Sequence, residues 1–171
     1  ATGEVVPIAV DVNQPIEIKK GETLILNIGQ NIAGYNTITV SGPAGTQVDV
    51  RQAEMLNDGN LNPTDKQGGS CGPKGTLYWA GLTDGGQFRE TLNDKPFADR
   101  YYLDGEGQET FTPNFTWHGY QYVEITATED ITLYDLYAED ITSVGEERGF
   151  IETSNADVNK LFENTKWSQK A

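Results

Sequence analysis

The stretch Tyr120-Gln-Tyr-Val-Glu-Ile-Thr-Ala127, followed after a three-residue step by Ile131-Thr-Leu-Tyr-Asp-Leu-Tyr-Ala138, decides the fold class. Both runs are rich in β-branched and aromatic residues, which suit a pleated, half-buried surface. Successive side chains of a strand point to opposite faces. That period puts Tyr120, Tyr122, Glu124 and Thr126 on one face of the first run and Gln121, Val123 and Ile125 on the other. In the second run Ile131 and Leu133 alternate with Thr132, Tyr134 and Leu136, so both faces are partly apolar. Strands covered in this way belong to packed sheets.

The same signature extends outward. Val5–Val10, Ile16–Lys19, Leu24–Ile28, Tyr35–Val40 and Val48–Gln52 read as strands separated by Gly, Pro or Asn, as do Arg100–Leu103 and Thr110–Phe115. Ser41-Gly-Pro-Ala-Gly45 is a turn by chemistry: Pro43 presets φ and the glycines permit positive φ. Many short strands with frequent turns predict an all-β chain, a two-sheet antiparallel β-sandwich over residues 1–142. Residues 57–99 interrupt it with eight glycines and three prolines. They predict a long excursion holding one strand near Thr76–Ala80, and loops beyond about 15 residues are usually functional or disordered.

The chain then changes period. After a linker at 143–153, Ser154-Asn-Ala-Asp157 resembles a capping box with Asp in place of Glu. Val158, Leu161, Phe162 and Thr165 follow on one face of an amphipathic helix that spans 154–171. Burying the three large apolar side chains is worth roughly 5–8 kcal/mol, at about 1.5–3 kcal/mol each. Such a face needs a partner: either the helix is the first piece of a neighbouring domain, or it docks back on the sandwich.

Composition excludes several functions. The net charge of −14, with 26 acidic and 12 basic residues, gives no basic footprint for nucleic acid or anionic membrane surfaces. No apolar run is long enough to cross a membrane. One Cys (Cys71) and one His (His118) rule out an internal disulfide and a Cys/His zinc site within the chain. Asp58, Asn60, Asn62 and Asp65 mimic a calcium loop, but Pro63 replaces the required Gly and Gly69 the bidentate Glu. We therefore expect no metal and no cofactor.

Catalytic machinery is equally hard to find. Glycosidases use two carboxyl groups flanking the scissile bond. Adjacent Glu139 and Asp140 would point to opposite faces of a strand, and Glu146 and Glu147 lie in the linker. No serine sits in a Gly-x-Ser-x-Gly elbow to pair with His118. Aromatic residues are the remaining resource, because sugar rings stack on Trp and Tyr. Trp79, Trp117 and Tyr120 are the candidate substrate-binding residues; the alternative is that they are core or interface aromatics.

Three stretches resemble the bacterial α-L-rhamnosidases of glycoside hydrolase family 78. The first is Gly29-Gln-Asn-Ile-Ala-Gly-Tyr35 with Val40-Ser-Gly-Pro-Ala-Gly-Thr46 and Ala53-Glu-Met-Leu56. The second is Phe115-Thr-Trp-His-Gly-Tyr-Gln-Tyr-Val-Glu124, and the third runs from Ser154-Asn155 through Leu161-Phe-Glu-Asn-Thr-Lys-Trp-Ser-Gln169. The resemblance implies a jelly-roll, concanavalin-like sandwich preceding an (α/α)6 catalytic barrel, with residues 154–171 similar to that barrel's first helix. It implies an inverting bacterial hydrolase of terminal α-L-rhamnose on glycans or glycosides, in the periplasm or secreted. The general acid and base belong to the barrel, so no catalytic residue falls on this chain and alone it should be inactive. Its expected partner is the catalytic domain of the same polypeptide, with Gln30, Asn31, Glu54, Trp117 and His118 as candidates for the seam. A carbohydrate-binding module using exposed aromatics, with rhamnose-containing glycans as ligand, is the alternative. The excursion at 57–99 is longer than the link family members often have there.

Overall fold

The computed structural model describes residues 13–57, 74–78, 98–146 and 148–170. The strand expected at Val5–Val10, and Trp79 and Cys71, lie outside the described residues. Nine strands and one helix are present among them: β1 (Ile16–Ile18), β2 (Thr23–Ser41), β3 (Gln47–Ala53), β4 (Met55–Leu56), β5 (Leu77–Tyr78), β6 (Asp99–Tyr102), β7 (Glu109–Phe111), β8 (His118–Ala127), β9 (Ile131–Asp140) and α1 (Ala156–Lys170). Seven strands are hydrogen-bonded in the order β1-β9-β2-β8-β3-β6, with β7 also on β2, and β4 pairs β5 separately. All pairings are antiparallel.

The sequence suggests separate strands at Leu24–Ile28 and Tyr35–Val40. They are one strand of 19 residues, β2, which serves both layers of the sandwich. Its first half, Thr23–Asn27, pairs Tyr122–Thr126 of β8, so it lies with β8, β3 and β6. Its second half, Tyr35–Ser41, pairs Thr132–Glu139 of β9 and Glu109–Phe111 of β7, and β1 flanks β9. A strand that changes layers through a bend is a recognised way to close a sandwich corner. The core joins the two layers: Ile38, Val40, Ile131 and Leu133 cluster with Val48, Val50, Val123 and Ile125.

Gly34 is the hand-over point, pairing His118 of β8 on one side and Asp140 of β9 on the other. A Cβ built there would overlap the backbone carbonyl of Glu139. Just upstream the register slips, from Asn27 opposite Tyr122 to Ile32 opposite Tyr120. Gly29, at φ 86°, accommodates the slip in the left-handed region that favours glycine. Its N–H donates to Asn27 Oδ1 at 2.8 Å.

Both faces of β8 are covered. Strict alternation separates Tyr120 from Val123 and Ile125, yet all three are fully buried in the core. Glu124, on the face assigned to Tyr120, is also buried and meets Arg51 at 3.3 Å. Tyr120 and Glu124 are thus buried on one side of the strand, and Val123 and Ile125 on the other.

The turn at Ser41–Gly45 forms as expected, with Gly45 at φ 80° and the Thr46 N–H donating to Pro43 O at 3.2 Å. The excursion is tied at its base. Asn57 N–H donates to Thr76 O at 2.7 Å, and its Nδ2 donates to Thr76 Oγ1 and Leu77 O.

The helix begins one residue later than the capping-box reading implies. Asn155 is its cap: Oδ1 accepts the Asp157 N–H at 2.9 Å and the Val158 N–H at 3.4 Å, satisfying orphan donors of the first turn. The docked face also differs from the expected stripe. Val158 and Leu161 remain exposed, while Trp167 packs on the sandwich core beside Ile32 and Ala33. The helix therefore docks back through its last turns and leaves an apolar flank open.

Candidate polar site at the β2 corner

The corner of β2 gathers most of the residues singled out for a domain seam. Asn31 and Gln30 sit in the bulge, Glu54 between β3 and β4, and His118 at the start of β8. The Asn31 Nδ2 donates to Glu54 Oε1 at 3.5 Å, a long contact, and the Gln30 Nε2 donates to Asn31 O at 3.0 Å. Glu54 lies over Gly119: its Oε1 is 3.5 Å from the place a Cβ of that glycine would take. That is ordinary van der Waals spacing, and Asn31, the Glu54 carboxylate and His118 border a shallow polar notch.

Beneath the notch is a second, more buried set. His118 Nε2 lies 3.1 Å from Asp99 Oδ2, and the same oxygen accepts from Gln52 Nε2 at 3.0 Å. A carboxylate offers only acceptors, so the His118 proton sits on Nε2 and leaves Nδ1 to accept when the ring is neutral. Gln52 is 4% exposed, and its Oε1 has no hydrogen-bond partner among the described residues. Asp99 and Gln52 escaped the sequence reading. The signal for Gln52 was its parity with Val48 and Val50 on β3, which aims a polar side chain at the core. Asp99 carries no comparable signal.

Asp99 also acts on the nearby phenols. Burial pushes Tyr101 up to about 12, with the Asp99 charge adding to it. Tyr120 is raised further by burial, then by Asp99 and Glu139. An unfolded tyrosine ionises near pH 10. Both folded phenols hold their protons longer, so stability is full below pH 10 and falls as pH rises from there through about 12. We expect denaturant midpoints to drop over that window, and the drop to shrink in Tyr101→Phe. Midpoints equally steep in that variant would remove the assignment.

Of the three aromatics expected to bind sugar, Trp117 is 65% exposed. Tyr120 is corrected: it is fully buried, and its O–H donates to Tyr35 O and Asn36 Oδ1, so no ring face is free. Trp79 is outside the described residues. Among the described residues, His118 pairs with no hydroxyl or thiol, and no group of three His, Cys, Asp or Glu side chains could hold a metal. The corner is thus a polar cluster satisfied mainly within itself, with an exposed indole beside it.

The fold and the corner together define a β-sandwich domain: two antiparallel layers joined by one long strand, with a single C-terminal helix. The family model for the bacterial alpha-L-rhamnosidase concanavalin-like domain matches residues 17–145. The chain belongs to that family.

An alpha-L-rhamnosidase of Streptomyces avermitilis is 34% identical over 157 residues, which cover 88% of this chain and 12% of that enzyme. One from Formosa agariphila is 28% identical, covering 91% of this chain and 14% of its own length. The chain therefore spans about one eighth of the length of these relatives. Among solved structures, the Streptomyces avermitilis enzyme complexed with L-rhamnose aligns at a TM-score of 0.51 and 30% identity, over 91% of this chain and 13% of that one. The Dictyoglumus thermophilum enzyme aligns at 0.60 and 24% identity, over 93% and 16%, and shares the fold.

Proposed function

We propose that this chain is the non-catalytic sandwich of an extracytoplasmic α-L-rhamnosidase and supports the catalytic domain of the same polypeptide. The reading rests on the family and on one observation of the site. The half-buried carboxylate at the corner, Asp99, is engaged by His118 and Gln52, and so is not poised to serve in a pair of carboxyls facing each other across a cleft. Hydrolysis of a glycoside needs such a facing pair, about 5–9.5 Å apart. The acid and base are then supplied by the neighbouring domain, and terminal α-L-rhamnose on glycans or glycosides is the substrate of the whole polypeptide.

The test is turnover of an aryl α-L-rhamnoside. The 171-residue chain is expected to release no L-rhamnose above buffer, and the polypeptide with its catalytic domain to be active. Removing the sandwich from that polypeptide should lower the yield of folded, active enzyme. Turnover by the isolated chain that disappears in Asp99→Asn would overturn the proposal.

A further inference from the structure

We propose that Phe115 and Trp117, with the Asn31–Glu54–His118 notch beside them, form the surface onto which the rest of the rhamnosidase polypeptide docks. The inference rests on the supporting role proposed above and assigns it to one place on the sandwich.

Phe115 carries the first observation. It is the one non-glycine residue with positive φ among the described residues, at 62°, and its ring is fully exposed. A bulky residue in the left-handed region is a genuine outlier, and such outliers gather at binding sites. The sandwich gains no buried surface from the ring, so the strained backbone presents it outward at no benefit to this domain. Trp117, two residues on, is also mostly exposed. Preformed aromatic anchors of this kind dominate the energetics of protein interfaces.

The notch supplies the second observation. Glu54 is exposed, lies against Gly119, and among the described residues is held by the long Asn31 contact alone. It is an acceptor open to donors from across an interface, and on a chain of net charge −14 it favours a partner surface presenting Arg or Lys. Apolar anchors beside a polar rim match the anatomy of an interface. The occupant is argued from length: this chain accounts for 12% of the Streptomyces relative, so most of such a polypeptide lies outside it.

Hydrogen exchange on the intact rhamnosidase polypeptide and on the 171-residue chain tests the proposal. Amides of residues 114–119 are expected to exchange at least about tenfold more slowly in the intact polypeptide. Phe115→Gly separates docking from folding, because glycine accepts the positive φ without strain. The isolated variant should melt no lower than the parent chain, while the intact variant loses the protection at 114–119. Equal exchange in both forms would overturn the proposal, as would a lower melting temperature of isolated Phe115→Gly. Saturable L-rhamnose quenching of the isolated chain's fluorescence, lost in Trp117→Ala, would assign the surface to a sugar and overturn docking. Protection on another face alone overturns this placement and leaves the supporting role standing. No protection anywhere removes both.

Discussion

Gly34→Val is expected to unfold the domain. The β2 strand passes from one layer to the other at Gly34, with β8 and β9 paired to it on either side. The β9 backbone occupies the space where a side chain would begin: a Cβ would overlap Glu139 O and come within 3.1 Å of Asp140 Cα. Backbone cannot swing aside as a side chain does. Relief requires β9 to move off β2, which breaks the eight-residue pairing of Gly34–Ser41 with Thr132–Asp140. Ordinary overpacking costs about 1–3 kcal/mol. Here the effect should exceed about 4 kcal/mol, most of the net stability of a typical domain. Far-UV circular dichroism and urea titration would show it, with Gly34→Ala intermediate. A valine variant melting like the parent chain would mean that the two strands do not approach this closely.

Tyr120→Ala should cost about 3–5 kcal/mol, the usual range for emptying an aromatic core site. Tyr120 is fully buried, and its hydroxyl bonds Tyr35 O at 3.0 Å and Asn36 Oδ1 at 2.8 Å, both on the second half of β2. It thereby pins one layer's β8 to the half-strand that belongs to the other layer. Tyr120→Phe isolates the polar part. It keeps the ring, but Asn36, 2% exposed with its Nδ2 already unpartnered, loses the bond to its Oδ1. An unsatisfied buried polar group costs about 1–3 kcal/mol. Chemical denaturation of the three proteins should rank parent, Phe and Ala in that order of decreasing stability. If instead Tyr120→Ala lowered affinity for a rhamnoside at unchanged stability, the residue would belong to a sugar site after all.

Local chemistry made much of this legible. Val48–Gln52 alternates cleanly, Ile131–Ala138 is rich in β-branched and aromatic residues, Ser41–Gly45 is a turn by composition, and the 3.6-residue period after Asn155 marks a helix. The β2 strand was not legible as one piece. Gly29, Gln30 and Asn31 have poor strand propensity and form the bulge, and the pairing of the residues on either side with β8 carries the strand through them. The burial of Tyr120 was hidden as well, since what covers its face of β8 comes from elements distant in sequence. At the candidate site, Asn31, Glu54 and His118 were found by resemblance, while Asp99 and Gln52 were not, because their role appears only when β3, β6 and β8 lie side by side.

By itself the sequence determined the fold class and the family, because these depend on residue type and short-range period. Only the tertiary structure decided that one strand joins both layers at Gly34, that Tyr120 is a core residue, and that Trp167 instead of Leu161 anchors the helix. Those outcomes depend on which backbones meet across tens of residues, and local propensity carries no information about that.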